Sequence, residues 1–294
     1  MKLSAYHKGQ GDSVEWYDTL GGHYDVVYQS KVFSFSQDFQ YFIDADKVVK
    51  GGTGYAIQLI DGKEKYNKDL DHNLPVEVEL MYPDTSIYKG RIKDVENTAY
   101  GFLTRGCPRN CAFCHVSDKE GTKSHKVAEL HEFWTDEKYI EILDPNILAC
   151  KDREELLLAL AFSNAKVNFN QGLDARFLDE YTCKILADID FSMVHFAWDN
   201  YEDGEMILPK IKMFSKITGI NPRNLIVYVL TNFGTTKEQD LERIYKITEA
   251  GASPYVMIYD KEHLPAKHEL KRIQRWCNNR FIFRACPNYA DYKG

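Results

Sequence analysis

Residues 101–115 read GFLTRGCPRNCAFCH, and this stretch governs how the rest of the chain is read. Cys107, Cys111 and Cys114, three of the seven cysteines, fall here within eight residues, directly after the strand candidate Ala99–Thr104. Thiolates are soft donors that select zinc, copper(I) or iron–sulfur. Three of them can hold three irons of a [4Fe–4S] cube and leave the fourth open to a non-protein ligand. Catalytic metal sites keep a position free in the same way. Gly106 and Pro108 suit a tight backbone around such a body, and Arg105 and Arg109 can offset thiolate charge.

Outward from this segment the pattern is regular. Further strand candidates are Tyr139–Leu143, Lys166–Asn170, Met193–Trp198, Leu225–Thr231 and Tyr255–Tyr259. They recur about every 30 residues, one βαβ step. Helical stretches separate them at Asp152–Ala161, Asp179–Asp188 and Lys237–Glu249, the last followed by Gly251 as a stop. Alternation of this kind predicts a parallel sheet with helices on its outer face. Six such units suit an open α/β barrel better than a complete eight-unit one. The expected divisions are a cap at 1–95, a barrel at 96–262, and a C-terminal helix and tail at 263–294. The cysteine segment then lies at the C-terminal end of the first barrel strand, where ligands bind in such folds.

Upstream, Tyr24–Tyr28 and Lys47–Lys50 read as strands, while the charged run from Asp61 to His72 reads as an exposed loop. Composition is that of an ordinary globular protein of 294 residues, 28% charged and 44% hydrophobic, which excludes disordered, collagen and coiled-coil classes. A net charge of −7 argues against a generally basic nucleic-acid binder. The basic stretch Lys271, Arg272, Arg275, Arg280 and Arg284 allows an anionic partner, but a solvated helix face explains it as well. No apolar run approaches the ~20 residues needed to span a bilayer. The N-terminus shows no apolar leader core, so the expected compartment is cytoplasmic, without membrane contact. Thiols stay reduced there, and a cysteine cluster points to metal or redox work.

Cys111-Ala-Phe-Cys114-His115 also matches the C-x-x-C-H pattern of c-type haem attachment, but that leaves Cys107 unused. A thioredoxin-like C-x-x-C meets the same objection. Zinc held by the cysteines with His115 or His125 remains open.

C-x3-C-x2-C after the first strand of a six-unit αβ series, with Phe113 before the last cysteine, resembles the radical S-adenosylmethionine (SAM) superfamily over about residues 97–260. The resemblance implies an α/β fold, a partial (β/α)6 barrel preceded by a small, incomplete Rossmann-like α/β domain, and a [4Fe–4S] cluster on Cys107, Cys111 and Cys114, with SAM chelating the open iron. Reductive cleavage would give methionine and a 5′-deoxyadenosyl radical that takes hydrogen from a substrate. An external one-electron reductant of the flavodoxin or ferredoxin kind is implied as partner. At the second strand end the family often places Gly-Gly-Glu against the SAM amino group. Here Asp144 and Asn146 stand in that place, in what also reads as a proline turn. Gln171, Asp174 and Arg176 after the third strand suit ribose hydroxyls and the SAM carboxylate, or pair with each other. Asp199 would face ribose or substrate, with Trp198 in the core and His195 a satisfied packing residue. Thr231 and Asn232 occupy the place of a glycine-containing segment beside SAM, Met257 would line the adenine side, and Thr235 or Thr236 reads as a helix cap.

The N-terminal pieces Tyr24–Phe33 and Val48–Tyr55 resemble the cobalamin-binding domain that precedes many such barrels, and a cobalamin-assisted methyl or methylthio transferase is the alternative activity. The Asp-x-His-x-x-Gly motif for the lower ligand is missing, which favours a remnant that has lost cobalamin. A non-enzymatic zinc or iron–sulfur module is a further alternative.

Overall fold

The computed structural model describes residues 1–60, 63–191 and 193–294. The chain divides into two compact units: Met1–Ala99 with Gly106–Lys123 and His131–Thr135, and Tyr100–Arg105 with Ser124–Leu130 and Asp136–Gly294. The division is not sequential at residue 95, since the cysteine segment belongs with the N-terminal residues. The C-terminal tail belongs to the second unit.

The first unit opens with helix α1 (Lys2–Gln10). Strands β1 (Tyr24–Ser30) and β2 (Ala45–Gly51) form a parallel pair, with Val27 opposite Val48, where the β-branched runs predict strands. A short helix, α2 (Thr53–Ala56), leads into an antiparallel hairpin of β3 (Ile57–Ile60) and β4 (Lys63–Tyr66). The expected loop from Asp61 to His72 is therefore corrected at Lys63–Tyr66, while Asp61 and Gly62 lie outside the described residues. Pairing with β3 supplies the backbone partners that a charged sequence does not advertise, and strand propensity yields to such context. The Tyr66 hydroxyl anchors the strand end on Asp71 at 2.6 Å. Two further short helices, α3 (Val76–Glu79) and α4 (Val116–Glu120), complete this unit.

The second unit takes in the end of β5 (Thr98–Gly101), then β6 (Thr104–Arg105), β7 (His125–Lys126), β8 (Tyr139–Ile142), β9 (Lys166–Phe169), β10 (Asp190–Phe191), β11 (Val194–Ala197), β12 (Leu225–Thr231) and β13 (Ser253–Ile258). One sheet has the order β10-β9-β8-β5 and another β11-β12-β13. The pairs β8/β9, β9/β10, β11/β12 and β12/β13 are parallel. All six strand expectations have counterparts, and the α/β class with parallel sheets holds.

Helices α5 (Arg153–Phe162), α6 (Glu180–Ala187) and α8 (Lys237–Glu249) stand where acidic starts and apolar spacing place them. Between α6 and α8 the structure adds α7 (Gly204–Thr218), despite Pro209 within it. Its stripe Ile207, Ile211 and Phe214 is buried at helical spacing, and that burial outweighs the ~3 kcal/mol cost of an internal proline. The basic stretch becomes two helices, α9 (Glu269–Asn278) and α10 (Arg280–Ala285), divided where Asn279 accepts from the Phe281 and Ile282 N–H groups. Leu270, Ile273, Trp276 and Cys277 of α9 join Ile244 and Val256 in one core cluster. Two of its cations are engaged within the fold: Lys271 donates to the Leu264 carbonyl, and Arg272 lies over the Tyr289 and Tyr292 rings.

Burial alternates along the strands. Val167, Phe169, Val194, Phe196 and Val256 are buried, while His195 and Tyr228 are half-buried and Tyr255 and Met257 exposed. Among the described residues no helix is long and apolar enough to cross a membrane.

Candidate metal and cofactor site

The cysteine segment begins at Gly106, whose φ of +84° lies in the left-handed region. A β-carbon there would lie 2.2 Å from the Lys123 carbonyl oxygen, so this turn needs glycine. Its N–H donates to the Glu120 carboxylate at 3.1 Å, and the Cys107 N–H donates to the Gly121 carbonyl at 3.1 Å. Within the segment the Cys114 N–H donates to the Cys111 carbonyl at 2.9 Å, closing a tight turn after Asn110, itself at φ 46°. Ser117 Oγ donates to Asn110 Oδ1 at 2.9 Å. Cys111, Cys114 and His115 line a cavity of about 600 Å³ with Glu64, Tyr66 and Asp118.

The donor chemistry fits an iron–sulfur body: three soft thiols on one short, braced segment. Among the described residues, however, no three His, Cys, Asp or Glu side chains are grouped so as to hold a metal ion.

Exposure separates the cysteines. Cys107, Cys111, Cys114 and Cys286 are partly exposed, whereas Cys150, Cys183 and Cys277 are buried. Burial pushes the Cys183 thiol up to about 11 and the Cys277 thiol up to about 12. Both then stay protonated and unreactive near neutrality. Iodoacetamide on the metal-free native protein at pH 7.5 should label Cys107, Cys111, Cys114 and Cys286, with Cys183 and Cys277 labelled only after denaturation. Peptide mass mapping checks this, and native labelling of Cys277 would contradict it.

The strand-end residues of the second unit form three arrangements. In the first, Asp144 follows β8 and is buried. Its Oδ1 accepts from the Leu103 N–H at 2.7 Å, and its Oδ2 from the Thr104 N–H at 2.7 Å and the Thr104 hydroxyl at 2.6 Å. In the second, the Asn146 amide donates to Asp174 Oδ2 at 3.2 Å. Arg176 then bridges Asp174 at 2.6 Å and Asp203 at 2.8 Å, so the pairing of Asp174 with Arg176 is real and extends to a third residue. Nearby, Gln171 is exposed, and Gly172, at φ +83°, brings the chain against the His195 carbonyl.

In the third, the fully buried Arg243 of α8 donates to the carbonyls of Trp198 at 2.6 Å, Asp199 at 2.9 Å and Leu230 at 2.7 Å. It also pairs with Asp240 at 2.5 Å. This guanidinium ties together the C-terminal ends of β11 and β12. Burial pushes the Asp199 carboxyl up, against the pull of Arg243 and Arg176. Thr231 donates to the Met257 carbonyl at 3.2 Å, and the exposed Asn232, at φ 63°, donates to the Tyr259 carbonyl at 2.8 Å. Trp198 lies in the core as expected, and Thr236 caps α8 in a capping box with Gln239. His195 packs as expected, its ring stacked on Tyr228 at 5.3 Å, but it is not fully satisfied: its buried Nδ1 has no hydrogen-bond partner among the described residues. Phe113 is half-buried in the cysteine segment. Arg243, Asp240 and Asp203 were not singled out from sequence.

The Asp144 environment carries a pH signature. Burial lifts its carboxyl to about 6, with the hydrogen bonds from Thr104 and Leu103 and the charge of Arg105 pulling the other way. A folded-state value above the unfolded one favours the protonated, folded protein. The resulting stabilisation is full below the ordinary carboxylate range and is lost as pH rises through about 6. For a lift of about two pH units it amounts to about 3 kcal/mol. The wild-type unfolding free energy, minus that of Asp144→Asn, should fall by that order between pH 4 and 7. Urea titrations across this range test it, and a flat difference would contradict it.

No protein-family model matches the chain, and no match was found among curated proteins.

Proposed function

We propose that the protein is a radical SAM enzyme built on a partial (β/α)6 barrel, acting in the cytoplasm with an external one-electron reductant. The observation that carries the reading is the C-x3-C-x2-C segment, braced at Gly106 and Cys107, with two of its thiols on one cavity. The parallel strand–helix series that follows supports it. Cys107, Cys111 and Cys114 would hold a [4Fe–4S] cluster, with Phe113 shielding it. When bound and reduced, the cluster supplies the electron that cleaves SAM into methionine and a 5′-deoxyadenosyl radical, which takes hydrogen from the substrate.

The remaining roles belong to the chain's own side chains. Arg176, fixed between Asp174 and Asp203, offers a cation to the SAM carboxylate, and Asp174 and Gln171 offer acceptors to ribose. Asn146 orients Asp174. Asp199 accepts from ribose or substrate, Thr231 and Asn232 shape the backbone beside it, and the exposed Met257 presents a soft apolar surface to a flat base. The N-terminal α/β elements are read as a remnant of a cobalamin-type domain that no longer binds a corrinoid.

His115 on the same cavity favours a second reading, a Cys3His zinc site. Metal analysis distinguishes the two. Anaerobic reconstitution with iron and sulfide should give about four irons per chain and a broad visible absorbance. One tightly held zinc that resists replacement by iron would sustain the zinc reading instead.

A further inference from the structure

The turn after β8 touches both ends of the cysteine segment. On the N-terminal side, Asp144 takes three hydrogen bonds from Leu103 and Thr104, just before Gly106 and Cys107. On the C-terminal side, the Ser124 hydroxyl donates to the Asn146 carbonyl at 2.9 Å. The two ends are also laced to each other: Thr104 stands opposite Lys126 in β6/β7, and the Val127 N–H donates to the Leu103 carbonyl at 2.8 Å. A segment whose ends are held loses less entropy when its middle is ordered around a ligand.

We propose that Asp144 and Asn146 are positioning residues for the cysteine segment, a clamp that fixes both its ends so that the three thiols can converge on one cluster. This rests on the radical SAM reading of those thiols. On this view Asp144 is spent on the protein's own backbone: both of its oxygens are engaged by Leu103 and Thr104, which assigns it to holding the metal loop and away from the SAM amino group.

The clamp predicts how fast a loaded cluster is lost. Wild type, Asp144→Ala, Thr104→Val, Thr104→Ser and Ser124→Ala are reconstituted anaerobically, and iron release to an excess of chelator is followed by absorbance. Groups that orient metal ligands typically contribute 10–100-fold to metal affinity, so Asp144→Ala should release iron at least about tenfold faster. Thr104→Val and Ser124→Ala, each lacking one hydrogen bond, should do so about fivefold faster. Thr104→Ser, which keeps its hydroxyl, should match wild type. Ile211→Val in the α7 core lowers stability without touching the clamp, and should also release iron at the wild-type rate.

If Asp144→Ala fails to fold, the Thr104→Val and Thr104→Ser pair decides. Equal release from both would overturn the clamp, and so would faster release from Ile211→Val comparable to that of Thr104→Val. Wild type that takes up no iron would overturn the metal reading itself, a result distinct from a wild type that loads and variants that behave like it.

Discussion

Replacing Cys111 with alanine should reduce reconstituted iron from about four atoms per chain to background and erase the visible absorbance. A [4Fe–4S] body on three thiolates already leaves one iron without a protein ligand, so losing a second leaves half the cube unheld. The same change should leave the metal-free fold almost untouched. Cys111 is partly exposed, and substitutions of that kind usually fall within about 0.5 kcal/mol. Loss of metal without loss of stability is the signature of a ligand. Iron retained at the wild-type level would remove Cys111 from the ligand set. A joint loss of iron and of the urea midpoint would instead make it a packing residue.

The second large effect lies at Arg243. Its guanidinium makes five hydrogen bonds to Trp198, Asp199, Leu230, Thr235 and Asp240, all inside the second unit. Arg243→Met keeps much of the volume but strands the Asp240 carboxylate and three carbonyls in the interior. Breaking one partner of a buried pair costs about 3–5 kcal/mol. Arg243→Lys should be nearly as damaging, since an ammonium cannot reach both strand ends with one rigid fork. Removing the stranded charge as well, in Arg243→Met with Asp240→Leu, should recover part of the loss. Urea unfolding midpoints measure all three. A double variant no better than Arg243→Met alone would mean that the carbonyl contacts, and not the buried charge, dominate.

Much of the second unit was legible in its sequence. β12 spans Leu225–Thr231 and α8 spans Lys237–Glu249, as expected, because a β-branched run marks one and a threonine cap with a following glycine marks the other. Elements defined by their partners were harder to see. β4 is charged and exists through its ladder with β3, and α7 carries a proline that reads as a break. Arg243 escaped because an arginine on a helix looks solvated. The usable signal was its spacing: Asp240, Arg243, Ile244 and Ile247 all fall on the buried face of α8. An acid and a base three apart inside an apolar stripe indicate a buried pair. Of the candidate site, the cysteine motif and the pairing of Asp174 with Arg176 stood in the sequence. The engagement of Asp144 with Leu103 and Thr104 spans some forty residues, and no local pattern announces it.

The central claim is tested most directly by the fate of SAM. Anaerobically reconstituted protein, given dithionite and SAM, should release 5′-deoxyadenosine and methionine in equal amounts by liquid chromatography and mass spectrometry. Omitting dithionite, or substituting Cys111→Ala, should abolish both products. Intact SAM in the presence of a fully loaded, reducible cluster would contradict the account.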